Sequence, residues 1–292
     1  MMQAVQILWG IYVLSIVAAV IITIFLIKIY YRRWTKIDFP YMIEREEVQI
    51  PVPRRNSFLK GEIYKLHNLQ TPAPTIIVAH GWFSKHENLD WINIPLAMAG
   101  YAVVAYDHYG HGINPGNIKD PNIIPDIIKD LKDVVSFVEK REDLDNFRIG
   151  LVGFSLGGLV ALTAGYEDPR IRVVIANCAP NDAKSALINM SLFNKFIFRF
   201  FLKLNFNPTE EQTEFVSPRN YLVKPLYPGK KIFLSHCKND PIIHISEFEK
   251  NVELLNLPED HYVIFEKGGH HYFGQETLIT AQIIKWIKEN LN

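Results

Sequence analysis

The chain is expected to be an α/β protein, a mostly parallel, eight-stranded sheet flanked by helices, and two features of its apolar patterning carry that expectation. Six short runs, Thr75–Ala79, Ala102–Tyr106, Arg148–Val152, Ile171–Ala176, Lys231–Ser235 and Tyr262–Phe265, are continuous rather than alternating in their apolar character. Such a strand is buried on both faces, as in a parallel sheet covered by helices. Between the runs lie stretches of helical period, clearest over Asp126–Arg141, where Ile127, Ile128, Leu131, Val134, Val135 and Val138 share one side. Strand and helix alternating over this length give a doubly wound sheet.

Composition sets the outer limits. The 292 residues are 48% hydrophobic and 21% charged, enough apolar material for a sizeable core. Thirty-one basic residues balance 31 acidic ones, so the formal net charge is zero. No global field then draws in nucleic acid, and that class of partner is excluded.

The elements follow in chain order. Residues 1–27 carry no charged side chain, and Ile7–Ile27 is almost wholly apolar. A helix over that run extends about 31 Å, close to the roughly 30 Å hydrocarbon thickness of a bilayer. Lys28, Arg32, Arg33 and Lys36 follow, interleaved with Tyr30, Tyr31 and Trp34, as at the end of a membrane span. A cleaved signal peptide has its charge before a shorter apolar run and small residues after it, the opposite arrangement. Residues 1–36 are therefore expected to be a single transmembrane anchor with a basic flank, and 37–292 the globular domain. The positive-inside rule places that domain in the cytoplasm.

Glu46–Leu66 reads as an antiparallel pair of strands turning near Arg54-Arg55-Asn56. The helical candidates after Asp126–Arg141 are Gly157–Gly165, Glu247–Leu255 and Ala281–Leu291. Residues 181–229 hold no clear strand and are expected to form a helical lid inserted over the sheet. Within them Leu192–Phe206 contains six phenylalanines, and Lys195, Arg199 and Lys203 recur every four residues along one helix face. That segment either accepts acyl chains or dips into a membrane beside the anchor, or else packs its aromatics on the core behind a solvated basic stripe. Cys178 and Cys237 each end a strand-like run, and are read as buried free thiols.

Chemistry concentrates at the carboxyl ends of the strands. Gly153-Phe154-Ser155-Leu156-Gly157-Gly158 stands between a strand and a helix, the setting of a nucleophile elbow, with Ser155 as nucleophile. A serine hydroxyl needs a base. Lys267-Gly268-Gly269-His270-His271 follows the last strand, and His270, directly after the two glycines, is preferred over His271. A carboxylate must orient that imidazole. Asp240, in the loop after Lys231–Ser235, is the candidate, with Asp182 as its rival. His80-Gly81-Trp82 ends the first core strand, so the backbone N–H groups of Trp82 and Leu156 are assigned to an oxyanion hole. His80 itself is read as a buried residue that shapes the loop.

On these residues the chain resembles the α/β-hydrolase superfamily, within it the monoglyceride-lipase and serine-aminopeptidase-like group. The likeness runs from about residue 45 to the C-terminus and includes His80-Gly81, Asp107-His108-Tyr109-Gly110-His111-Gly112, the elbow, Asp240-Pro241 and His270. The resemblance implies hydrolysis of an ester, thioester or amide through an acyl-enzyme, without cofactor or metal. It departs where many relatives have Arg between Asp and Gly of the second loop, here His108-Tyr109, and where Ile113-Asn114 replaces an expected Ser or Thr. Three functions follow. The first is a membrane-anchored esterase for apolar acyl substrates. The second is a peptidase holding a substrate amino terminus on Glu210, Glu211 and Glu214. The third is a non-catalytic binding protein that has kept the fold.

Overall fold

The computed structural model describes residues 9–23, 42–196 and 209–291, and divides the chain into two units, Met1–Asp38 and Phe39–Asn292. In the first, a helix (α1) spans residues 9–23. Its Ser15 and Thr23 hydroxyls turn back onto the carbonyls of Tyr12 and Ala19 at 2.7 and 2.8 Å. Among the described residues no helix is long and apolar enough to cross a membrane. Residues 9–23 rise about 22 Å as a helix. Both ends of the Ile7–Ile27 run, and the basic flank from Lys28 to Lys36, lie outside the described residues.

The second unit begins with a hairpin of β1 (Ile43–Val52) and β2 (Ser57–Leu66), paired from Ile43↔Leu66 to Val52↔Ser57. Its turn is the predicted one: Pro53–Arg55 form a 3-10 turn and Asn56 takes the left-handed conformation, φ 47°, that Asn tolerates. Next come β3 (Ala73–Ala79), α2 (Asp90–Met98), β4 (Ala102–Tyr106), α3 (Ile123–Glu139), β5 (Leu144–Phe154), α4 (Leu156–Val160) and β6 (Ile171–Asn177). Four short helices follow where a lid was expected: α5 (Ala183–Asn189), α6 (Leu192–Phe196), α7 (Glu210–Val216) and α8 (Arg219–Leu222). Arg199, Lys203 and four of the six phenylalanines fall outside the described residues. The chain closes with β7 (Lys231–Cys237), α9 (Ile245–Leu255), β8 (Tyr262–Phe265) and α10 (Glu276–Asn290).

The eight strands form one sheet in the order β1-β2-β4-β3-β5-β6-β7-β8. β1, β2 and β4 pair antiparallel in turn, and every later pairing is parallel. All five residues of β4 are buried, as a strand covered on both sides must be. α3 lays Ile127, Leu131, Val134, Val135 and Val138, each fully buried, onto the sheet. Burial of each such side chain contributes about 1.5–3 kcal/mol. β5 begins earlier than its apolar run, because Leu144 and Asp145 already pair with Ala73 and Pro74; Asp145 then accepts hydrogen bonds from the Phe147 and Arg148 N–H groups, and the ladder shifts before Ile149. The parallel arrangement brings the carboxyl ends of β3 to β8 to one edge, and the site lies there.

Candidate active site

At the end of β5 the chain must reverse into α4 within one residue. Ser155 does this at φ 55° and ψ −111°, a conformation that costs about 1–3 kcal/mol and persists only where its surroundings impose it. They do. The Ser155 N–H donates to the Asn177 carbonyl at 2.9 Å, and its own carbonyl accepts from the Leu159 N–H at 2.9 Å. A Cβ on Gly153 would lie 2.0 Å from the Gly157 carbonyl oxygen, and one on Gly157 2.0 Å from that of Ala79. The glycines of the motif are what the tightness of the turn demands.

His270 reaches this serine from the loop after β8. Gly268 and Gly269, at φ 133° and 61°, turn the chain, and Asn239 Oδ1 accepts the Gly269 N–H at 2.9 Å. His270 Nε2 then stands 2.8 Å from Ser155 Oγ, and His270 Nδ1 is 2.7 Å from Asp240 Oδ2. With Nδ1–H given to the carboxylate, Nε2 presents its lone pair to the hydroxyl. Asp240 Oδ1 accepts the N–H groups of Ile242 and Ile243 at 2.8 and 3.0 Å. Burial alone would raise the Asp240 carboxyl, but the charge and hydrogen bond of His270 keep it below the usual carboxylate range. It is His270, not His271, that bridges Ser155 and Asp240. Burial, reinforced by neighbouring His270, pushes the His271 imidazole down to about 4.

The rival acid is used elsewhere. Asp182 caps α5 by accepting the Ser185 N–H at 2.6 Å and pairs with Arg219 Nε at 2.5 Å. Leu156 opens α4 directly after the serine, and a Cβ on Gly81 would stand 3.3 Å from Ser155 Cβ, so the chain entering Trp82 passes beside it. Trp82, Ser155 and Leu156 all border one cavity.

Behind that loop the predicted structural histidine is in place. His80 is fully buried, its Nδ1–H donates to the Gly81 carbonyl at 2.7 Å, and its Nε2 accepts the His108 N–H at 3.0 Å. Burial holds it near 3, hence neutral. His108 returns an Nε2–H to the His80 carbonyl at 2.9 Å, while His111 meets Trp82 edge-on at 5.1 Å. The two histidines of the second loop thus brace the Trp82 turn, a use that no spacing in the sequence announces.

Cys178 and Cys237 are buried and free. Burial, then the Asp240 charge, raises both thiols, Cys237 to about 12, so neither is a thiolate. Cys178, Asp240 and His270 hold ligand-type atoms within 4.8 Å of one another, as do Glu62, His86 and Glu87. In the first group Asp240 and His270 bind each other. In the second, His86 Nδ1 is 2.7 Å from Asp107, and Arg45 lies 3.7 Å from Glu62 and 2.7 Å from Asp90.

The cavity beside Ser155 measures about 170 Å³ and is walled mainly by apolar side chains, among them Ile123, Leu159, Leu187, Met190 and Val216. Glu210, Glu211 and Glu214 do not border it, and Glu214 accepts hydrogen bonds from Arg219 and Asn220.

Sheet order, elbow and the Ser155–His270–Asp240 geometry together define a member of the α/β-hydrolase superfamily. Within it, a family model described as serine aminopeptidase, S33, matches residues 70–225, more than half of the chain, and the chain belongs to that family. A 31.7 kDa protein from the traX-finO intergenic region of Escherichia coli is 32% identical over 108 residues, 36% of this chain and 37% of that one. The alignment therefore spans little more than a third of that relative's length. YtaP of Bacillus subtilis (strain 168) is 26% identical over 222 residues, 65% of this chain and 73% of YtaP. Among solved structures, an esterase of Pyrococcus furiosus superposes with a TM-score of 0.65 at 21% identity, covering 86% of this chain and 92% of the esterase. That last likeness is one of fold.

Proposed function

We propose that this protein is a membrane-anchored serine hydrolase that cleaves carboxylic esters of apolar acyl groups through an acyl-enzyme on Ser155. The observation that carries the reading is the unbroken hydrogen-bonded path Ser155 Oγ–His270–Asp240 opening on an apolar cavity. As Oγ attacks the ester carbonyl, His270 Nε2 takes its proton and Asp240 stabilises the imidazolium. The tetrahedral oxyanion is held by the Leu156 and Trp82 N–H groups, each worth about a hundredfold to a thousandfold in rate. His270 then protonates the leaving alcohol. Water enters by the same route in reverse, releasing the acid and restoring the serine.

The apolar cavity favours an acyl chain over a charged amino terminus, and the acids of the peptidase reading stand away from it. The tether rests on the apolar run Ile7–Ile27 and its basic flank. In α1 the two hydroxyls already satisfied by the helix backbone are compatible with lipid surroundings. A fluorophosphonate probe should label the full chain and fail to label Ser155→Ala. On p-nitrophenyl esters, kcat/KM should rise from acetate to octanoate. A folded protein that resists the probe favours a binding role. Activity confined to aminoacyl amides favours the peptidase.

A further inference from the structure

Beneath the triad lies a second set of polar side chains with no part in the steps above. Tyr272, two residues after His270, is fully buried at φ 55°, and its hydroxyl lies 2.6 Å from Ser235 Oγ. Ser235 Oγ donates to Asn177 Oδ1 at 2.5 Å, so the hydrogen between the two hydroxyls belongs to the tyrosine. Asn177 Nδ2 donates to the Gly153 carbonyl at 3.0 Å, and the Asn177 carbonyl takes the Ser155 N–H. Tyr272, Ser235 and Asn177 are all fully buried.

The points this path joins are not arbitrary. Gly153 lies two residues before Ser155 on β5, Ser235 five before Asp240 on β7, and Tyr272 two after His270. Asn177, at the end of β6, is the crossing between them. Each segment that bears a member of the triad is therefore gripped close to that member by the same run of hydrogen bonds, the Ser155 segment twice, through Gly153 and through Ser155 itself. Buried networks of this kind are stiff when every member is satisfied, since a broken link strands a polar group away from water.

We infer that Tyr272, Ser235 and Asn177 are positioning residues: their buried hydrogen-bond relay sets the placement of His270 and Asp240 relative to Ser155. This rests on the serine-hydrolase reading. Displacement of a base by a fraction of an ångström reduces attack more than substrate binding, so the relay acts on kcat and leaves KM alone.

The test is steady-state hydrolysis of p-nitrophenyl octanoate, with fluorophosphonate labelling rates alongside, on the full chain and its Tyr272→Phe, Ser235→Ala and double variants. Tyr166→Phe is the control, because it too loses a tyrosine hydroxyl bond, a part-buried one to the Lys224 carbonyl at 2.6 Å, away from the site. Each relay variant should lose about tenfold in kcat, about 1.4 kcal/mol, with KM within about twofold. The double variant should lose no more than about threefold further, because both changes open one path. Tyr166→Phe should keep its kcat. Relay variants as fast as wild type overturn the inference, as does a control that loses as much as they do. Wild type that neither labels nor hydrolyses refutes the hydrolase reading itself. A wild type that does both, beside equally fast variants, refutes the relay alone.

Discussion

Ser155 takes a backbone conformation that L-residues seldom adopt, and its neighbours are chosen to hold it there. That constraint is what made the site readable: glycines around one serine are a local signal, needing no knowledge of the rest of the chain. His270 and Asp240 were legible for a similar reason, since each sits just past a strand whose apolar run marks where the sheet ends. Tyr272, Ser235 and Asn177 were not legible. They meet across separations of 37 and 58 residues, and nothing in their own surroundings distinguishes them from ordinary core polar groups. The two aspartates give a prediction at this scale. Asp240→Asn should lower kcat about a thousandfold to ten-thousandfold by spoiling the tautomer of His270. Asp182→Asn should leave kcat within about twofold and lower stability by at most about 1 kcal/mol, because Asn also caps a helix while the pairing with Arg219 is weakened. Steady-state kinetics with thermal denaturation on both variants checks this, and a reversed pattern would exchange their roles.

Elements are joined here by charge as well as by apolar contact. His86, in the turn before α2, donates both its backbone N–H and Nδ1–H to Asp107 at 2.7 Å, just past β4, and faces Glu62 of β2 at 3.9 Å. Burial opposes a charge on this imidazole, but the Asp107 hydrogen bond and then Glu62 outweigh it and raise it to about 9. Glu62 is beyond hydrogen-bond reach, so Asp107 carries most of the effect. An unfolded histidine titrates near 6.5. Since the folded value is the higher one, the stabilisation is fully present below about pH 6.5 and is lost as pH rises through about 9, up to about 3 kcal/mol in all. Thermal denaturation should therefore show wild type losing more stability than His86→Gln between those two pH values. Equal slopes would mean that His86 is neutral in the native state. The pattern of apolar runs located the six core strands and the leading hairpin, because burial on both faces writes itself into sequence. It did not reveal the early start of β5, where a single aspartate reroutes the ladder. Nor did it reveal the π-helical turn at Ala161–Gly165 that continues α4. Both depend on backbone hydrogen bonds to which composition is blind.

For the whole molecule, the proposed N-terminal tether carries a prediction about orientation. With the basic flank on its side of the span, that domain should survive protease added to intact cells and be digested in inside-out vesicles. The opposite pattern would reverse the orientation. The wiring of the sheet has a further consequence, for the history of each molecule during synthesis. Ser155 and its proposed base, His270, are 115 residues apart, and the base comes later. At about 5–20 residues per second, a ribosome takes about 6–23 s to travel between them. Throughout that interval the emerging chain carries a serine with no imidazole beside it, and the Tyr272 hydroxyl that joins the buried relay is also still to come. On the proposed mechanism, a chain that stalls or is cut short before residue 270 is inert rather than unregulated, and hydrolytic power arrives only with the last pieces of the domain.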